Sequence, residues 1–478
     1  MLVKKSVAWI SIAQAGTLIL AFVSSVVVAR HVSPREMGIF AIGVAVVGVI
    51  SLLQQLGLPA FIIREEKLNK KIIATAFSIN AVITSLLALA IFAGSFFLGA
   101  LFDEPGLEKV LIVLALSPLP GIFAFVPSSI LERQGRFKRL SIIMLASTAT
   151  TYLTAIGLVL MDFSYMSLAY GQVAGSLVLA ILAIVAGRHH FTMRIGIYDW
   201  RRVAGFGVQM LFISGASNAA QRLSEIVLGS VQGLDGLGFY NRASGLNNMI
   251  WSSVYQIISR IVLVRFSDIN RLNGSFRDDY LKIMSFTTAL LWPVFVGLAI
   301  ISEPLIALLY GEAWLGAAVP FVCIAIASTV AVPAIMNYQL LVSTGKLRQA
   351  TQVEVTRAFI GVGAFILGSL LSVTAAAASR IIEAFSNVNL YRPHVSKITD
   401  VTLSDTGPVY LKSAALTFVA IAPAAVCVSG FGGVSAPIPI LAVSVLMGVF
   451  LWVCGLAISR HPLLSFLASY APQRFQTK

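Results

Sequence analysis

Residues 4–30 read KKSVAWISIAQAGTLILAFVSSVVVAR: Lys4 and Lys5, then an uncharged apolar run from Val7 to Ala29, closed by Arg30. A secretory signal has a shorter apolar core and a small-residue cleavage site. A membrane crossing takes roughly 20 residues, so this run is expected to be a first, uncleaved transmembrane helix. A barrel strand would alternate over about ten residues instead. The rest of the chain repeats the pattern. Of 478 residues, 58% are hydrophobic and only 11% charged, against about a quarter charged in a soluble domain. Mean hydropathy is +0.90. These values exclude a soluble enzyme, a disordered chain and a small secreted scaffold.

Apolar runs place further spans at 37–56, 72–98, 110–127, 141–161, 166–187, 206–229, 246–264, 282–301, 317–338, 355–372, 374–391, 413–429 and 437–458. With the first run this predicts an all-α polytopic membrane protein of fourteen transmembrane helices. Loop charge orients it. With the N-terminus cytoplasmic, 27 of the 34 Lys and Arg residues fall in inner segments. Only Arg30, Arg35, Lys109 and Arg242 fall in outer ones, and Arg222, Arg260 and Arg380 lie inside spans. That asymmetry is the positive-inside bias, and it predicts both termini on the cytoplasmic side of a bacterial inner membrane. It also accounts for the net charge of +14, which in a soluble protein would suggest nucleic acid; no nucleic-acid partner is expected here.

The three cysteines, Cys323, Cys427 and Cys454, lie in apolar stretches without metal-ligand spacing, so inert buried thiols are expected. The chain has no HExxH, Walker A or GxSxG motif. No metal, cofactor or enzymatic activity is expected, and no loop is long enough for a separate catalytic domain.

Two pairs of segments echo each other. Arg35-Glu36-Met37-Gly38-Ile39-Phe40 corresponds to Gly236-Leu237-Gly238-Phe239-Tyr240-Asn241, and Gln134-Gly135-Arg136-Phe137-Lys138 to Thr344-Gly345-Lys346-Leu347-Arg348. The offsets are 200 and 210. They predict two pseudo-symmetric six-helix lobes, residues 1–203 and 204–400, entered from the same membrane side as parallel repeats. Two more helices and a cytoplasmic tail follow over 401–478.

The stretch Ala29-Arg30-His31-Val32-Ser33-Pro34-Arg35-Glu36-Met37-Gly38-Ile39-Phe40 resembles a signature of polysaccharide exporters. Gln55-Leu56-Gly57-Leu58-Pro59, Leu237-Gly238-Phe239-Tyr240-Asn241-Arg242-Ala243 and Leu309-Tyr310-Gly311-Glu312-Ala313-Trp314 continue the likeness in order. The family is the O-antigen and exopolysaccharide (Wzx-type) flippases of the MATE-like multidrug/oligosaccharidyl-lipid/polysaccharide superfamily. The resemblance implies a MATE-like fold and a polyprenyl-pyrophosphate-linked oligosaccharide substrate, flipped by alternating access. It further implies membrane lipids and a polysaccharide polymerase and co-polymerase as partners. An Asp that the family pattern wants in the seventh span is absent, and Ser224-Glu225 stands nearby.

Charge at membrane depth is costly and marks function by default. In the seventh span, Ser214, Asn218, Arg222 and Glu225 share a face, with Arg222 about 24 Å from the inner edge. Arg222 can meet a pyrophosphate or acidic sugar through its planar fork, or simply neutralise Glu225. Arg380, Glu383 and Asn387 repeat the device in the twelfth span. Gln256 and Arg260 in the eighth, Gln14 in the first and Arg30 at its outer end complete the expected substrate-binding set, with Arg260 snorkelling to the cytoplasmic side and Arg30 anchoring a helix end as the alternative readings. Glu225 and Glu383 are the membrane-depth carboxylates open to a coupling proton or Na+. A drug/cation antiporter, a lipid II flippase and a membrane polysaccharide polymerase are the alternatives.

Overall fold

The computed structural model describes residues 2–51, 58–65, 68–187, 194–198, 200–272 and 274–464, with side chains described for all of these except 2–13, 50, 204, 206–220 and 257. The chain divides into two compact units, Met1–Gly238 and Phe239–Lys478. The division falls at the mouth of the span counted eighth from sequence.

In the first unit α1 (Leu2–His31), α2 (Pro34–Ser51), α3 (Leu58–Arg64), α4 (Lys70–Leu101), α5 (Pro105–Leu116), α6 (Leu119–Arg133), α7 (Phe137–Val159) and α8 (Met166–Ala186) follow in order. α9 (Trp200–Arg271) is one helical run turned at Gly233, whose φ is +77°; it belongs to this unit as far as Gly238 and to the next from Phe239. α7 packs on α1 and α8, α8 on α6 and α5, and α5 on α4 and α2. A buried cluster of Leu58, Phe61, Ile62, Ile72, Phe77 and Val126 joins α3, α4 and α6. Arg133 closes one end of it. The guanidinium donates to the carbonyls of Ile62, Ile63 and Glu65, satisfying acceptors that the end of α3 leaves open.

The second unit continues with α10 (Arg277–Ile300), α11 (Ser302–Tyr310), α12 (Ala318–Ala331), α13 (Asn337–Ser343), α14 (Leu347–Leu371), α15 (Val373–Thr399), α16 (Leu403–Phe431) and α17 (Ile438–Ile458). α15 packs between α14 and α12, and α10 between α12 and α16. Phe266, Tyr280, Met284, Phe295, Met336 and Leu340 lie in its main core.

Among the described residues, eleven helical stretches are long and apolar enough to cross a membrane. One of them, Gln221–Arg271, holds the later part of the expected seventh span and all of the eighth. The expected second and twelfth fall on α2 and α15, which are not among the eleven. The expected fourth and tenth are each interrupted at proline. α5 gives way to α6 at Pro118, and α12 to α13 through a short 3-10 turn containing Pro333. Large apolar side chains such as Phe97, Phe418 and Leu446 stay exposed, as expected where the solvent is lipid.

The echoes seen in sequence share one geometry. α6 ends with Gly135 N–H donating to the Glu132 carbonyl and Arg136 N–H to that of Leu131; α13 ends with Gly345 N–H on Val342 and Lys346 N–H on Leu341. Both glycines are left-handed, at φ +66° and +75°, so both ends are Schellman caps, 210 residues apart at every position. The other echo is reciprocal. A Cβ on Gly38 would lie 1.9 Å from the Leu234 carbonyl oxygen, and one on Gly238 would lie 2.1 Å from that of Pro34. Shifting by 200 residues turns one contact into the other.

Candidate functional site: a charged network inside the helices

Helical spacing puts Glu354, Arg357, Gly361 and Phe365 on one face of α14, and Arg380, Glu383, Asn387 and Tyr391 on one face of α15. These faces meet. Glu383 lies over Gly361, where a Cβ would come within 2.7 Å of its carboxyl carbon. From there a chain of hydrogen bonds runs both ways. Arg380 donates from Nη1 to Glu383 Oε2 at 2.8 Å and from Nε to the Tyr240 hydroxyl at 3.0 Å. Its guanidinium covers the Phe365 ring, 4.6 Å from the centroid. Arg357 donates to the other oxygen of Glu383 and to Glu354 at 2.7 Å. Tyr391 donates to the remaining oxygen of Glu354 at 2.8 Å.

Two guanidinium and two carboxylate groups thus balance, with Tyr240 and Tyr391 ending the chain. Single charges within a membrane are expensive, and neutrality makes the cluster compatible with its surroundings. The forks remain partly open, since the side chains of Arg357 and Arg380 keep 26% and 23% of their exposure.

In the first unit the expected pair is formed. Arg222 Nη1 lies 3.1 Å from Glu225 Oε2, with Glu225 buried and Arg222 39% exposed. The Arg222 side chain crosses α2 at Gly48, where a Cβ would sit 3.0 Å from Nε. Asn218 lies outside the residues with described side chains. Gln14 and Arg30 are exposed on α1, and Gln256 and Arg260 are exposed on the second arm of α9. The expected set therefore gathers in two places, Arg222 with Glu225 and Arg380 with Glu383, and its other described members join neither by a described contact.

Four members of the network went unread in sequence: Glu354, Arg357, Tyr240 and Tyr391. Arg357 was counted among inner-segment cations, yet it lies in the third turn of α14. The signal was present, because Glu354-x-x-Arg357 repeats the spacing of Arg222 and Glu225 with the charges exchanged. Arg242 was likewise counted as outer. It is buried, its guanidinium 4.8 Å from the Tyr310 ring centroid and 4.6 Å from that of Trp314. Two resembling motifs, the Arg242 stretch and the Tyr310–Trp314 stretch, are therefore one packing unit.

The N-terminal end of α2 is tied down by a capping box. Ser33 N–H donates to Glu36 Oε2 at 2.8 Å and Glu36 N–H to Ser33 Oγ at 3.3 Å. Ser164 donates to the second Glu36 oxygen, and Arg35 pairs with Glu104 at 2.8 Å.

An all-helical chain with eleven stretches, among the described residues, long and apolar enough to cross a membrane belongs to the class of polytopic membrane proteins. The chain is a member of the polysaccharide biosynthesis protein family, whose sequence profile matches residues 27–319. That is the family group expected from the motifs. The chain is 22% identical to the succinoglycan biosynthesis transport protein ExoT of Rhizobium meliloti (strain 1021), over 65% of this chain and 63% of that protein. It is 20% identical to the lipopolysaccharide biosynthesis protein WzxC of Escherichia coli (strain K12), over 64% of this chain and 63% of that one. The teichuronic acid biosynthesis protein TuaB of Bacillus subtilis (strain 168) is 22% identical, over 56% of each chain. The chain thus spans under two thirds of the length of these curated relatives. Its fold is similar to lipid II flippase MurJ in an inward closed conformation, with a TM-score of 0.76, 15% identity and coverage of 95% of this chain and 99% of that one. It is also similar to an inward-facing multidrug resistance MATE family transporter of the MOP superfamily, with a TM-score of 0.61, 14% identity and coverage of 82% and 99%.

Proposed function

We propose that the protein is a flippase moving a polyprenyl-pyrophosphate-linked oligosaccharide across the bacterial inner membrane by alternating access. It would serve exopolysaccharide, capsule or O-antigen synthesis, with both termini cytoplasmic, and would catalyse no covalent step. The observation that carries this reading is the balanced Arg357–Glu383–Arg380 cluster inside the helices of a chain from this family. The relatives named for succinoglycan, lipopolysaccharide and teichuronic acid biosynthesis support the substrate class. A polymerase and co-polymerase would take the product on the outer side.

The chemistry is an exchange of anions. At rest each guanidinium is held by a carboxylate. A pyrophosphate offers the same planar forks a bidentate partner of higher charge. Unit charges 4 Å apart interact by about 4 kcal/mol at an effective dielectric near 20, so carboxylate and phosphate compete on comparable terms. Binding can then be reversed, which a carrier needs. A cation antiporter would need surplus negative charge, and this cluster has none.

The test is translocation of a fluorescent polyprenyl-pyrophosphate oligosaccharide in proteoliposomes. Arg380→Gln and Arg222→Gln are expected to lower its rate about tenfold or more, equivalent to about 1.4 kcal/mol each. Glu383→Gln, which takes the carboxylate from Arg380 and leaves Arg357 on Glu354 alone, should tighten binding while slowing release. Wild-type rates in both arginine variants would end the anion-exchange account.

A further inference from the structure

Tyr280 and Met284 of α10, Asn337 of α13, Arg392 and Val395 of α15, and Leu403 of α16 line a cavity of about 360 Å3 in the second unit. On the orientation proposed above, this end of the unit faces the inner leaflet. The floor is polar and buried. Tyr280 Oη donates to Asn337 Oδ1 at 2.9 Å, and Asn337 is only 4% exposed. The carboxamide N–H groups make no hydrogen bond with a described residue, although Asn337 lines the cavity. The Asn337 amide nitrogen is not among the buried atoms without a partner, so it is open to the cavity and can donate to an oxygen placed there.

The mouth is cationic. Arg392 is exposed and pairs with no carboxylate among the described residues, whereas nearby Arg265 and Arg277 are tied to Asp279 and Asp405. Leu403, 60% exposed, also stands at the mouth. From it an apolar stripe continues along α16 through Leu411 and Phe418, both more than 70% exposed. Turned by 100° per residue, these three share one side of the helix. They cover about 22 Å, more than the roughly 15 Å hydrocarbon depth of one leaflet.

We propose that this cavity binds an anionic glycerophospholipid of the inner leaflet. The phosphate meets Arg392 at the mouth, a hydroxylated head such as glycerol enters toward the Asn337 amide, and an acyl chain follows the α16 stripe. A soluble anion would use the cavity and leave the stripe idle. The bound lipid would brace the inner ends of α10, α15 and α16.

Native mass spectrometry of the delipidated full chain tests this without substrate or transport, so failure here leaves the flippase reading intact and the converse also holds. Dioleoyl-phosphatidylglycerol should bind at one site about tenfold tighter than the phosphatidylcholine with the same chains. Arg392→Gln should remove that preference. Lys397→Gln, an exposed cation five residues beyond Arg392 on α15 that does not line the cavity, should keep it within about twofold. Leu403→Ser should weaken the lipid and leave glycerol 3-phosphate unaffected. Equal binding of both lipids, an unchanged Arg392→Gln protein, or an equal loss in Lys397→Gln overturns the proposal. Glycerol 3-phosphate binding as tightly as the lipid overturns it too, by making the stripe irrelevant.

Discussion

Glu383 bears more of the membrane-depth network than Arg380, because it contacts both Arg357 and Arg380. Glu383→Gln leaves Arg357 on Glu354 and Arg380 with no carboxylate among its described contacts. Arg380→Gln leaves Glu383 still held by Arg357. Removing one partner of a buried pair costs up to about 3–5 kcal/mol, so Glu383→Gln should lower the melting temperature in detergent more than Arg380→Gln. The double variant restores neutrality and should melt above the sum of the two losses, with a coupling of about 1 kcal/mol or more. Strict additivity would mean that the cluster does not act as a unit. A second carboxylate, Glu36, sits outside the spans at the start of α2. Burial pushes its carboxyl up, but hydrogen bonds from Ser164 and Ser33 outweigh burial and hold it below the ordinary glutamate value. A carboxylate depressed in the fold contributes stability above its unfolded value and loses it as pH falls through the folded one. Wild type should therefore melt above Glu36→Gln by a constant margin at neutral pH, and the margin should close below about pH 4.

Helix ends and crossings carry the next prediction. Gly38 and Gly238 have no left-handed backbone, so alanine is acceptable to each helix by itself. What alanine cannot do is share space with the carbonyls of Leu234 and Pro34. Gly38→Ala and Gly238→Ala are thus expected to open the approach of α2 to residues 234–238 of α9, just after its turn at Gly233. Disulfide trapping across that contact should fall in both variants, and the double variant should lose little more than either single, because one separation relieves both clashes. Wild-type trapping in the single variants would show that the two elements adjust without parting. The same elements show what sequence could reveal. Both echoes were legible as Gly motifs at offsets of 200 and 210, since turns and close approaches are written in glycine. The Arg222–Glu225 and Arg380–Glu383 pairs were legible as helical spacing. The α14 half of the network was not. Glu354 and Arg357 fall at the edge of an apolar run, and a window that counts charge assigns such residues to a loop. Arg242 was misread for the same reason, because its burial depends on Tyr310 and Trp314, some 70 positions along the chain.

At the scale of the molecule, charge does two separate things. Inside the helices Arg222, Arg357 and Arg380 pair with carboxylates, and at the loops charge is unbalanced: with Arg357 set aside, 26 of 34 cations fall on one side of the expected topology. The first condition lets the helices sit in hydrocarbon, and the second decides which way they face. The two are separable by experiment. Single cysteines at Phe163 and Ala313, exposed between expected outer helix ends, are predicted to react with a membrane-impermeant maleimide in intact cells, in a background where Cys323, Cys427 and Cys454 are replaced. Cysteines at Lys138 and Ser404, exposed at the opposite ends, should react only after permeabilisation. Replacing Arg136, Lys138 and Arg139 together by glutamine removes three cations from one inner loop and none from the buried pairs. The labelling contrast around α6 and α7 should weaken, while the melting temperature of the correctly inserted fraction stays within a few degrees of wild type. A large loss of stability in that fraction would mean that the inner cations hold the fold as well as orient it.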